Sequence, residues 1–410
     1  MAKSNYVRSM MFFKPSPLPF IPPFEEATRL LGVPANLSGA VSYFARKYQV
    51  DLPVSDKTLR TASRGPVTRR TAQKIGNFML SKLPYQIDQN EVVRLYEPWE
   101  SLGALNNGCS WQAGVLYPIR KSKIDINNNF IRFLSFIENR SNQELEILRK
   151  LKSLEGKKTP RQKLETIWYE FLSATTLISE ADLEEGVPAL VQWCIGSNLQ
   201  GSALLKLNRL FLKLTVDFYY SAIACLDYDL SCPLRQAEGA DQRLWDVGLF
   251  GDLVPKGSTT NFREPVEVLL DEWRGVFAKS PRAQLTWAEM HRKLPYPHGI
   301  PPKDRTDFAC EEDARKEIDE VRKGRLYAWR RGKRPTKEQI DVFVRNLVPA
   351  DYDDWWACLR FYWANALGQL IESVKVSNES ALSKTEVVAA FECYRRYWAS
   401  FGAPAAPMKS

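Results

Sequence analysis

Apolar residues recur every three or four positions along most of this chain, the spacing of one buried face on an α-helix. The pattern starts over 24–31 and 37–48 and continues over 55–63 and 68–83. From Phe130 onward it dominates, over 130–139, 141–154, 160–178, 187–195, 202–226, 264–278, 283–293, 311–330, 336–347, 352–375 and 383–400. Turn chemistry separates the segments: Gly156, Thr159-Pro160, Gly186 with Pro188, Gly299 to Pro302, and Pro349. The expectation is a mainly α, multi-helix protein.

Three stretches lack the helical pattern. Residues 14–23 hold five prolines; proline has a fixed φ and no amide donor, so this reads as an extended arm that lies across the body or reaches a partner. Residues 84–129 carry Asn106-Asn107-Gly108 and Asn127-Asn128-Asn129, turn signals compatible with a hairpin. Residues 231–263 hold four glycines and read as a flexible or partner-binding loop. The organisation that follows is an arm over 1–23, a module over 24–83, an irregular connector over 84–129, and a helical body over 130–302. A C-terminal helical region (303–400) and a frayed tail (401–410) complete it.

Charge changes this picture. Residues 1–85 contain thirteen Lys and Arg against four Asp and Glu, an excess equal to the net charge of the whole chain, +9. A second basic concentration, eleven against five, spans Arg315 to Leu347. Segregated positive charge speaks of partners rather than of fold. A polyanion binder gains affinity by releasing condensed counterions.

Both basic regions carry the same local grammar. In 55–78, Ser55 is an N-cap and Asp56 suits the first turn of a helix. Leu59 and Ala62 face inward, and Gly65-Pro66 stops the helix. Thr68 caps the next, whose Ala72, Ile75 and Phe78 or Met79 pack back. In 325–343, Leu326, Arg331-Gly332, Pro335, a Thr336/Gln339 capping box and Ile340-x-x-Phe343 repeat the order.

At these residues the chain resembles the lambda-repressor-like (Cro/XRE-type) helix-turn-helix family, over about 37–80 and in part over 312–347. In one respect it departs from the family: the turn over 49–54 is longer than three or four residues. The resemblance implies an N-terminal helix-turn-helix-like module, with a short cationic helix that reads the major groove. The residues it puts at nucleic acid are Lys57, Thr58, Arg60, Thr61, Arg64, Arg69 and Arg70 in the first segment. In the second they are Arg325, Arg330, Arg331, Lys333 and Arg334.

Catalytic chemistry finds little support. Two histidines, His291 and His298, argue against a multi-histidine metal centre. His291, His298, Asp304 and Asp307 lack standard ligand spacing and read as loop residues. Asp227-Tyr228-Asp229 and Asp351 to Asp354 are acidic clusters, the second placed to cap a helix. No phosphate-cradling Gly-rich loop and no Gly-x-Ser-x-Gly occurs. The seven cysteines are scattered, with no Cys-x-x-Cys, as free thiols in a reducing cytosol would be. Leu210 to Leu226 is the most apolar run, but Lys213 and Asp217 interrupt it, so it reads as a core helix. Aromatics crowd 355–363 and 391–401 at helical spacing and read as core stripes.

The expectation is therefore a cytoplasmic, non-enzymatic protein that binds nucleic acid, DNA in preference to RNA, with no metal, cofactor or membrane. It acts as a regulator or as a subunit of a nucleoprotein assembly such as a mobile-element or antiphage system. Its helical body serves homo-oligomerisation or docking to a protein partner. The alternative is a helical scaffold or RNA-binding subunit whose basic patches meet RNA or an acidic partner.

Overall fold

A computed structural model describes residues 6–7, 18–23, 26–27, 30, 37–64, 67–81, 107–117, 131–154, 157, 159–236, 246–254, 263–278, 283–295, 311–350, 354–378 and 382–402. The protein is mainly α. The described helices are α1 (Leu37–Lys47), α2 (Asp56–Arg64), α3 (Arg69–Ser81), α4 (Asn107–Trp111), α5 (Ile131–Lys152), α6 (Arg161–Thr175), α7 (Glu180–Cys194) and α8 (Gly201–Gln236). They continue with α9 (Pro265–Val276), α10 (Trp287–Arg292), α11 (Glu311–Arg330), α12 (Lys337–Leu347), α13 (Asp354–Asn378), α14 (Lys384–Ala390) and α15 (Tyr394–Gly402). Two-residue strands, β1 (Tyr6–Val7) and β2 (Val67–Thr68), pair antiparallel with Tyr6 opposite Thr68.

The spine is α8, 36 residues and about 54 Å long at 1.5 Å per residue. Its first half packs Leu207, Leu210 and Leu214 into a smaller core with Trp168 and Leu172 of α6 and Leu183 and Leu190 of α7. Its second half packs Phe218, Tyr220 and Leu230 into a larger core shared with α9 and α11–α15. That larger core draws on both the 130–302 body and the 303–400 region, so the two share one interior.

Three buried carboxylates of α8 tie the surrounding elements to it. Asp217 pairs with Arg140 of α5, accepts the Leu177 N–H at 2.8 Å, and accepts the Tyr397 hydroxyl at 3.2 Å. Asp227 accepts the N–H groups of Leu249 (2.8 Å) and Phe250 (3.3 Å) and the Tyr394 hydroxyl (2.7 Å). Asp229 accepts from Arg132, through its backbone N–H at 3.2 Å and its guanidinium at 3.0 Å. Asp227-Tyr228-Asp229 is thus structural cross-linking, and the described part of the 231–263 stretch is not a free loop: α8 runs on to Gln236, and Phe250 and Leu253 are buried.

The described residues differ from the sequence expectation in three further places. The breakers Gly186 and Pro188 lie inside α7. Gly186 is needed there because a Cβ would stand 2.9 Å from the Leu210 Cβ of α8. The stretch 107–117 is helical, ending in a π-helical turn (Gln112–Leu116), so no hairpin occupies it. The end of the Pro-rich arm takes the first of its two expected courses and lies on the body: Phe20 and Ile21 are buried, and the Ile21 and Pro22 carbonyls accept from Asn107 (2.7 Å) and the Trp111 indole (2.8 Å). His291 is buried within α10, not exposed on a loop, and burial holds its imidazole below the usual range. His298, Asp304, Asp307 and residues 403–410 lie outside the described residues.

The aromatic stripes are core: Tyr220 makes edge contacts with Phe391, Tyr394 and Tyr397, with ring centroids 5.2–5.8 Å apart. Trp355 is the exception, about half exposed. No described helix is long and apolar enough to cross a membrane.

Two predictions test this framework. Arg140→Met strands the Asp217 charge and should cost about 3–5 kcal/mol, whereas Arg140→Met/Asp217→Leu should recover much of it; urea midpoints of the three proteins decide this. Burial also pushes the Glu144 carboxyl up to about 8, although it accepts the Gly108 N–H at 2.8 Å. The native state then holds a proton that the unfolded state releases above its ordinary value of 4.5. Stability should therefore fall as pH rises from about 5 towards 8, by up to about 1.4 kcal/mol per pH unit. Glu144→Gln should flatten melting curves collected across that window.

Candidate nucleic-acid interface

Helix α2 is built to face two ways. Ser55 Oγ accepts the Thr58 N–H at 3.2 Å, and Asp56 sits in the first turn. Leu59 is fully buried; Val41 and Ala45, one turn apart on α1, and Ile75 of α3 are buried too. With Leu59 held inward, Lys57, Arg60 and Thr61 are turned to solvent. They share a shallow depression with Asp56, whose carboxylate meets Arg60 at 2.7 Å. The Arg60 side chain stays 69% exposed, so this surface ion pair screens it without fixing it. Thr58 is half-buried, and its hydroxyl is spent on Ser55 at 2.8 Å. The Thr61 hydroxyl donates to the Lys57 carbonyl at 3.0 Å.

On α3 the Arg70 side chain is exposed, and so is Lys74, which its four-residue spacing places on the same face. Thr68 caps that helix, its Oγ1 accepting the Thr71 N–H at 3.3 Å. The side chains of Arg64 and Arg69 lie outside the described residues.

The long turn before α2 has a defined shape. Gln49 adopts a left-handed conformation (φ 51°), and the Val50 N–H reaches back to the Ala45 carbonyl at 3.0 Å, closing α1. Leu52 and Val50 are then left exposed before Ser55. β1 adds a pairing that no sequence pattern announced, bringing the chain's start to the α2–α3 junction.

No protein-family model, curated protein or solved structure matches this chain.

The second basic segment has the expected local chemistry and a different orientation. Gly332 (φ 93°) ends α11, and the Lys333 N–H bonds the Ala328 carbonyl at 2.9 Å. The Thr336/Gln339 capping box starts α12. Two of the five predicted cations, however, turn into the body. Arg330 pairs with Glu267 at 2.8 Å and lies 4.0 Å from the centre of the Trp287 ring. Arg334 pairs with Glu264 at 3.3 Å and packs against Gly368. Both acids stand at the start of α9, more than sixty residues away in sequence. Arg330 and Arg334 are thus corrected from outward contacts to structural ion pairs. Arg331 and Lys333 remain exposed, Arg325 is half-exposed, and Arg331 lies 5.1 Å from the Tyr327 ring.

The described residues hold no cluster of three or more side chains able to bind a metal ion. Desolvation raises the thiols of Cys194, Cys358 and Cys393 to about 11 and of Cys225 to about 12, so the thiolate is a minor form of each at neutral pH, while Cys194 remains exposed to reagents.

The two faces of the second segment should separate by mutation. Arg330→Ala takes the closer of two arginines from Glu267, which keeps Arg263 at 3.9 Å, and Arg334→Ala takes the 3.3 Å partner of Glu264; each should cost about 1–3 kcal/mol. Arg331→Ala/Lys333→Ala should stay within about 0.5 kcal/mol; thermal melts distinguish the two outcomes.

Proposed function

We propose that this chain is a nucleic-acid-binding protein without catalysis of its own, engaging duplex DNA through α2. The observation that carries this reading is the division of α2: Leu59 fully buried, with Lys57, Arg60 and Thr61 facing out, while Arg70 and Lys74 are exposed on α3. A helix held in this way is free to enter a groove, while its support stays behind. B-form DNA offers a major groove about 12 Å wide, which admits a helix, whereas the corresponding groove of A-form RNA is too narrow. That contrast favours DNA. Arg331 and Lys333 supply a second, non-specific phosphate contact.

On this reading the protein acts in the cytoplasm as a regulator or as a subunit of a nucleoprotein assembly such as a mobile-element or antiphage system. The large helical body serves self-association or docking to other subunits, since it exceeds what a simple regulator needs.

Gel-shift titration across a salt series tests the reading. Binding to a mixed-sequence duplex should weaken steeply with salt. Lys57→Glu/Arg60→Glu should weaken it at least tenfold and lower the log–log slope by roughly two, at about 0.9 for each phosphate that is no longer neutralised. An unchanged affinity and slope in that variant would sink the assignment; tighter binding to single-stranded RNA than to duplex DNA would move it to RNA.

A further inference from the structure

The smaller core is left open at one end. The last turns of α5, the first half of α6 and the C-terminal end of α7 surround a groove of about 460 Å³. Leu148, Leu151, Leu154 and Leu164 enter it only half-buried, with Trp168 at its floor and Ile195 54% exposed at its edge. Leu148, Leu151 and Leu154 are three residues apart, so they form one ladder along the groove.

The mouth is cationic. Lys152 and Lys157 line it, and among the described residues no acidic one does. Arg149 and Lys150 are exposed in the last turn of α5, and Lys163 is exposed at the start of α6, where Arg161 pairs with Glu165 at 2.6 Å. Over 149–163 the sequence has seven basic residues against one acid, Glu155. This run lies outside both basic regions discussed above.

From this pairing of a leucine ladder with a cationic rim, we propose that the groove receives an acidic amphipathic helix of a partner protein. Apolar side chains spaced at i, i+3, i+4 and i+7 fill the groove, and Asp or Glu on their flanks meet the rim. Charge complementarity chooses this occupant. A single anionic head group would meet Lys152 and Lys157 but leave the leucine ladder uncovered. A bilayer is met by apolar side chains that protrude, and here they line a recess. A nucleic-acid strand would leave the leucines uncovered. The inference is independent of the DNA-binding reading, because it involves neither α2 nor α11.

The test uses the full-length protein and a fluorescent peptide of about 15 residues, with leucines at i, i+3, i+4 and i+7 and glutamates elsewhere. A scrambled peptide of identical composition isolates the stripe, and a version with lysines in place of glutamates isolates the charge. Anisotropy titration should give at least tenfold tighter binding for the acidic amphipathic peptide than for either control. Lys157→Glu, on the exposed rim, should weaken that binding at least fivefold while leaving the melting temperature and the DNA gel shift in place. Cys194 lines the same groove, so peptide binding should also slow its alkylation, read by mass spectrometry at that residue. Equal binding of the scrambled peptide, no protection of Cys194, or recruitment to anionic vesicles that the peptide does not compete would each overturn the proposal.

Discussion

Carboxylates carried in the dry interior of one long helix hold this molecule in register. Asp217, Asp227 and Asp229 lie on α8, and between them they are answered by four chain segments: α5, the turn after α6, the segment at 249–250, and α15. A buried charge without such partners costs several kcal/mol, so the partners are obligatory rather than decorative. Apolar packing alone would let helices slide by a turn against α8. Hydrogen bonds to fixed points along its length do not.

The same electrostatic logic explains why two similar stretches of sequence end up facing opposite ways. Both the 55–78 and the 325–343 segments end a helix at glycine and start the next with a threonine cap. Near α2, the only described charge partner of Arg60 is Asp56 on its own helix, and the arginine remains in solvent. Near α11, Glu264 and Glu267 wait at the start of α9 and draw Arg334 and Arg330 onto the body. Local motif chemistry sets where helices begin and stop. Acids supplied from elsewhere decide whether the cations are offered outward.

Much of the fold was legible for this reason. Caps at Ser55, Thr68 and Thr336 and the stop at Gly332 act within one turn, and sequence shows them directly. The limits of α11 and α12 follow from such signals. Gly186 misled because its role is a close approach to Leu210, a contact between helices rather than a break in one. The Pro-rich arm was legible as an extended segment because its prolines forbid helix, but nothing local shows where it docks, with the Ile21 and Pro22 carbonyls on Asn107 and Trp111. At the candidate interface, the inward position of Leu59 was readable from period alone. The fate of Arg330 and Arg334 depended on residues too distant for any window to join. The groove at the end of the smaller core was hidden because its leucines look like an ordinary core stripe until the missing neighbour is seen.

Because α8 belongs to both cores, neither is thermodynamically private. Releasing the smaller core frees Leu207, Leu210 and Leu214, and the fraying helix then carries Asp217 and its ring of donors with it. Opening the larger core from the other end does the same in reverse. The interior of this protein is therefore coupled along its long axis like the two ends of a beam, so that a perturbation at one end is felt as a change in opening free energy at the other.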